Sequence, residues 1–94
     1  MAMGQVLDFT GGTMAMYDAV TAELGIKGNQ GWPASLITHS AGATDDGFVV
    51  IETWDSEDAW NEFFESSLQP AFEKVGGIPQ PNVTRFEVHA THTR

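Results

Sequence analysis

The chain has 94 residues, no cysteine, and four Lys and Arg against thirteen Asp and Glu, for a formal net charge of −9. That length is one small domain, and the lack of cysteine removes disulfides, thiolate metal sites and a cysteine nucleophile. An acidic chain repels phosphate backbones and anionic lipid, and no apolar run nears the ~20 residues of a membrane span. Neither a nucleic-acid nor a membrane role is expected, and the N-terminus lacks the basic and apolar regions of a signal peptide. Cysteine-free composition is compatible with a cytoplasmic location.

Met1 to Phe9 reads as a first strand that Gly11-Gly12 ends. Thr13 is placed to cap a helix with Met16, Tyr17, Val20 and Leu24 on one side, and Gly25 and Gly28 stop it. Gly28 to Pro33 is a loop in which Pro33 holds Trp32 extended. Ala34 to Ala41 is a second strand, with Ile37, His39 and Ala41 on one face and Leu36, Thr38 and Ser40 on the other. Asp45-Asp46-Gly47 signals a hairpin turn into the third strand, Phe48 to Trp54.

Trp54 to Val75 follows as an amphipathic helix. Trp60, Phe63, Phe64, Leu68, Ala71, Phe72 and Val75 recur at helical spacing, with acidic residues opposite. Asp55 or Ser56 caps it, and Pro70 predicts a kink near Leu68 and Gln69. A Gly- and Pro-rich loop leads to a last strand, Val83 to Thr91.

The order is βαββαβ, the ferredoxin-like α+β arrangement: a four-stranded antiparallel sheet with two helices on one face. The third strand is apolar on both faces, with Val49 and Ile51 opposite Phe48, Val50 and Trp54. Helices cover one face only. A second copy is the simplest cover for the other, so a homodimer is expected.

Glu52, Trp54, Ser56, Glu57, Ala59, Phe63, Pro70 and Phe72 together resemble the antibiotic-biosynthesis-monooxygenase-like family of dimeric α+β barrels. The resemblance implies paired sheets forming a barrel, with a pocket between helices and sheet in each subunit. It also implies a choice of activities: cofactor-independent oxygenases or cyclases of aromatic, polyketide-type substrates, haem degradation, or a non-catalytic ligand-binding or stress-associated dimer. The haem-degrading branch has an asparagine on its first strand and a histidine on its second helix. Here Asp8 takes the first position and Ser56 to Val75 holds no histidine, so haem is set aside and no cofactor is expected.

Tyr17, Trp32, Trp54, Trp60 and Phe64 are the expected walls of a flat slot for a small aromatic or apolar ligand. His39 and His89, each read as mid-strand among apolar neighbours, are candidate general bases; His92 is not. Glu52 beside Trp54 is the acidic candidate, and Arg85 is expected to pair with Glu87 on its own strand. His39 and His89 lie on opposite edge strands, too far apart within one subunit to share a metal.

Overall fold

A computed structural model describes all 94 residues. Strands β1 (Met3–Thr10), β2 (Leu36–Thr44), β3 (Gly47–Trp54) and β4 (Asn82–Glu87) form one antiparallel sheet in the order β2-β3-β1-β4. Helix α1 (Met14–Glu23) follows β1. The second helical run comprises α2 (Glu57–Phe63), a π turn (Phe64–Leu68) and α3 (Gln69–Val75). This is the βαββαβ order expected from the sequence.

The helix starts are side-chain caps. Thr13 accepts from the Met16 N–H at 3.2 Å, and Ser56, rather than Asp55, accepts from the Ala59 N–H at 3.0 Å. Helix α1 ends where Gly25 turns to φ +76° and the Ile26 N–H reaches back to the Thr21 carbonyl. Pro70 does not simply kink the second run. A proline cannot donate, and its ring crowds the carbonyl four residues earlier. The chain widens to a π turn just ahead of it, and the Gln69 N–H bonds the Phe64 carbonyl five residues back.

The inner face of β3 carries Phe48, Val50, Glu52 and Trp54, and that of β1 carries Met3, Gln5, Leu7 and Phe9, all buried. Facing pairs in the register become side-chain contacts. Phe9 and Phe48 stack with centroids 4.5 Å apart, and Phe72 meets Phe9 edge-on from α3. Trp54, Trp60 and Phe63 pack together where β3 meets α2. Such aromatic contacts add about 0.5–1.5 kcal/mol each beyond burial.

Two sequence expectations need correction. Strict alternation in the second strand separates Leu36 from His39, but a bulge between Leu36 and Thr38 resets the register. Leu36 then faces Trp54 and His39 faces Glu52, on the same side of the sheet, while Ile37 is left exposed. The last strand stops at Glu87, whose partner Met3 begins β1. With no strand beyond to pair with, His89 lies in an exposed bend rather than mid-strand.

The outer face has no helix over it. Val6, Val49 and Ile51 run down its centre, and the Phe86 ring lies on Gly4 of the neighbouring strand. Ile51 is 51 % exposed and Phe86 49 %. Thr38, Ser40, Asn82 and Thr84 on the edge strands are polar.

The hairpin gives a stability prediction. A Cβ on Gly47 would strike the Phe9 carbonyl oxygen, whereas one on Gly42 meets nothing within 4 Å. Gly47→Ala should lose about 1–3 kcal/mol in denaturant unfolding, because backbone must move to admit it. Gly42→Ala should be neutral or gain a few tenths of a kcal/mol.

Candidate active site

Between α1, the second helical run and the inner face of the sheet lies a cavity with about 70 Å3 of free volume, open at its mouth. Seventeen of its twenty-one lining residues are hydrophobic. Phe9, Val20, Leu24, Phe48, Val50, Phe63, Leu68 and Phe72 supply much of the wall. Tyr17, Trp32, His39, Glu52, Trp54 and Trp60, all foreseen as site residues, also line it. Phe64 does not: it packs against Trp60 and Phe72 and faces a separate groove beside Ile78 to Pro81, and Phe63 takes the place expected of it. His89 lines no wall of the cavity.

The polar groups form a chain rather than a scatter. Tyr17 Oη lies 2.8 Å from His39 Nε2, and His39 Nδ1 lies 2.9 Å from Glu52 Oε2. Gln5 Nε2 donates to Glu52 Oε1 at 2.7 Å, and Arg85 Nε donates to Gln5 Oε1 at 3.0 Å. Arg85 Nη1 reaches Glu57 at 3.4 Å on the exposed first turn of α2. Arg85 therefore spends its donors on Gln5 and Glu57, and the pairing expected with Glu87 is not made. His39, Glu52, Gln5 and Arg85 come one from each strand and are direct neighbours in the register, forming a polar row across the whole sheet.

Glu52 is 4 % exposed and Gln5 fully buried, so each depends on its partners rather than on water. A carboxylate only accepts, so the His39 Nδ1–H donates to it, and in the neutral imidazole Nε2 then keeps the lone pair. The Tyr17 hydroxyl donates to that lone pair. Burial pushes the Tyr17 phenol above its ordinary value of 10.0, and the charges of Glu52 and then Asp18 add to the rise. Tyr17 is thus a neutral donor at physiological pH.

The Trp32 indole N–H is held by the Gly28 carbonyl at 2.8 Å, which fixes its ring 4.5 Å from the His39 ring, centroid to centroid. Trp54 differs. Its indole N–H is buried without any partner, on a residue that lines the cavity. A buried donor left unpaired costs about 1–3 kcal/mol. Asp8 sits on the outer face, away from the cavity, with one carboxylate oxygen also buried and unpaired.

Gln5 and Arg85 escape the sequence reading. The available signal is that Gln5 shares its parity with Met3, Leu7 and Phe9, and a polar side chain on the buried side of a strand needs a partner.

Neither a protein-family model nor a curated protein matches the chain. Solved structures do. A Chloroflexus aurantiacus protein assigned as an antibiotic biosynthesis monooxygenase matches with TM-score 0.69 at 17 % identity, over 99 % of this chain and 98 % of its own. SnoaB, a cofactor-independent oxygenase from Streptomyces nogalater, matches with TM-score 0.65 at 17 % identity, over 96 % of this chain and 95 % of its own. The ActVA-Orf6 monooxygenase of Streptomyces coelicolor, solved with nanaomycin D, matches with TM-score 0.57 at 19 % identity, over 99 % and 91 %. The fold is therefore the ferredoxin-like α+β fold of these monooxygenase structures.

Tyr17 is the only tyrosine, so phenolate absorbance reads it without ambiguity. Its folded pKa lies above the unfolded one, so the folded state holds the proton longer. The stability this contributes is whole below about pH 10 and is lost as pH rises through the folded value. Phenolate should appear at higher pH in the native protein than in urea; coincident titrations would contradict the half-buried, hydrogen-bonded phenol.

Proposed function

We propose that this chain is a cofactor-independent monooxygenase or cyclase-type enzyme acting on a planar aromatic, polyketide-like molecule, with His39 as its general base. The observation that carries the reading is the Tyr17–His39–Glu52 chain opening into a cavity that is otherwise almost wholly apolar. A non-catalytic binding protein has no need of an oriented imidazole with a buried carboxylate behind it.

A flat ligand stacks among Trp32, Trp54 and Trp60, and a carbonyl oxygen on it accepts from the unpaired Trp54 N–H. That bond holds the carbon next to the carbonyl near the base and stabilises negative charge as it develops. His39 Nε2 then takes a proton from an activated methylene group or a phenol, once the Tyr17 hydroxyl swings away or passes the proton along. Glu52 keeps Nδ1–H in place and stabilises the imidazolium.

In the oxidation version the resulting carbanion is the reductant of dioxygen. The carbanion adds dioxygen to give a peroxide, which takes the proton held on His39. The remaining C–H proton then leaves as the O–O bond breaks. One methylene group and one dioxygen have become a carbonyl group and one water. In the cyclisation version the same carbanion attacks a carbonyl within the molecule, and His39 returns the proton to the new alkoxide. Both versions ask the protein only to deprotonate, orient and keep water out.

The structures named above include a cofactor-independent oxygenase and a monooxygenase solved with nanaomycin D, which supports the reading. We further propose that the protein works in the cytoplasm as a homodimer joined through the outer sheet face. The stripe of Val6, Val49, Ile51 and Phe86 gives the apolar surface, and the unpaired Asp8 oxygen gives a group for the interface to satisfy.

All three tryptophans line the cavity, so intrinsic fluorescence reports occupancy. Titration with planar hydroquinones, naphthols and quinones should quench it, and productive ligands should consume oxygen or cyclise. His39→Gln should cut turnover about 10²–10⁴-fold while quenching is retained. Unchanged turnover in a folded His39→Gln protein removes the base assignment. For the dimer, sedimentation at micromolar concentration should give twice the chain mass, and Ile51→Lys should shift it to the monomer. A wild-type monomer would contradict the interface.

A further inference from the structure

We infer that the groove beside Ile78 to Pro81 is the second half of the binding site, and that Ile78 is a removable plug between it and the cavity at His39. The chemistry of the ligand rests on the proposed function, and the occupant of the groove is the far rings of that same planar molecule.

The cavity alone is too small for such a molecule. Its free volume is about 70 Å3. An apolar cavity of about 150 Å3 takes one benzene, and sites for larger ligands run to roughly 300–1,000 Å3. The groove offers about 520 Å3. Leu7, Phe9, Trp60, Leu68, Phe72 and Ile78 face both spaces, so the partition is one side chain thick. His39 stands on β2 at one edge of the sheet, and Val83, in the groove, on β4 at the other. Three strand steps separate those edges, about 14 Å, a span for several fused rings and not for one. Asn61, Gln69 and Gln80 bring neutral amides to the groove, suited to hydroxyl and carbonyl groups on a ligand edge. Arg85, also there, is already engaged by Gln5 and Glu57.

Most of the partition is fixed. Leu7, Phe9, Trp60 and Leu68 are buried, and Phe72 sits edge-on to both Phe9 and Phe64. Ile78 differs. It is only partly buried, and no backbone hydrogen bond ties the chain from Gly77 to Pro81. Gly76 and Gly77 precede it at φ +76° and +72°, and Pro79 holds it extended. Rotation at the two glycines therefore carries Ile78 outward together with the proline. The loop at the other end of the cavity is stitched instead: Lys27 and Gln30 exchange both backbone bonds, and Gly28 holds the Trp32 indole. The cavity enlarges toward the groove rather than toward Trp32.

The test titrates 1,8-dihydroxyanthraquinone, a planar three-ring molecule, and follows tryptophan quenching; Trp60 faces both spaces. Val83 lines the groove but not the cavity and is 44 % exposed, so Val83→Arg obstructs the groove with the fold intact. It should weaken binding about tenfold or more. Ile78→Ala should tighten binding about three- to tenfold, because the open state no longer has to be reached by displacing the plug. Should Ile78→Ala prove unfolded, Ile78→Val takes its place, with a smaller change in the same direction.

Binding indifferent to Val83→Arg overturns the groove as a subsite, and so does an absence of quenching in both the wild type and the Ile78 variant. Weaker or unchanged binding in the Ile78 variant overturns the plug. Failure of the proposed function looks different. Anthrone has the same ring frame with an acidic methylene; equal turnover by wild type and folded His39→Gln removes the base, while weaker anthrone binding in Val83→Arg upholds the subsite.

Discussion

One buried negative charge governs the interior. Glu52 projects from the central β3 strand into a wall of Val50, Trp54, Leu7 and Phe9, where an unpaired carboxylate would not survive as an ion. Its neighbours answer that demand from both sides, Gln5 on β1 and His39 on β2. Because cross-strand neighbours are close enough to bond directly, the carboxylate needs no solvent channel. The cavity can then stay apolar around a charge.

The surrounding aromatic wall follows from the second helical run. The π turn ahead of Pro70 lets α3 continue instead of breaking, which keeps Phe72 and Leu68 over the sheet. Trp60 and Phe63 enter from α2, and Trp32 comes from the loop after α1, tied to the Gly28 carbonyl. The ring nearest His39 is thus held by backbone rather than by packing alone. An imidazole pressed between a fixed indole and a buried carboxylate has little freedom to leave its place.

Much of this was legible in the residues. The caps at Thr13 and Ser56, the turn at Asp45 and Asp46, and the alternation of β3 follow from local chemistry, and the element order follows from them. Tyr17, His39, Glu52 and the tryptophans were legible as reactive or bulky groups at the right parity. Their linkage was not, since Gln5 bonds partners 47 and 80 positions away and only the assembled register joins them. The end of β4 was hidden for a related reason: β1 decides where pairing stops, so His89 lost its strand. Phe63 and Phe64 flank the line of Trp60 on either side, and helical spacing does not say which of them meets the cavity.

The row of His39, Glu52, Gln5 and Arg85 also acts as a key that admits one alignment of the four strands. Sliding any strand by one residue carries its member through to the far side of the sheet and strands a charge or an amide in the core. Hydrophobic residues alone tolerate such slips better, since one valine replaces another. Wrongly aligned sheets are thereby penalised during folding by the same side chains that would handle the proton, so chemistry and self-recognition of the chain are written in one line of residues.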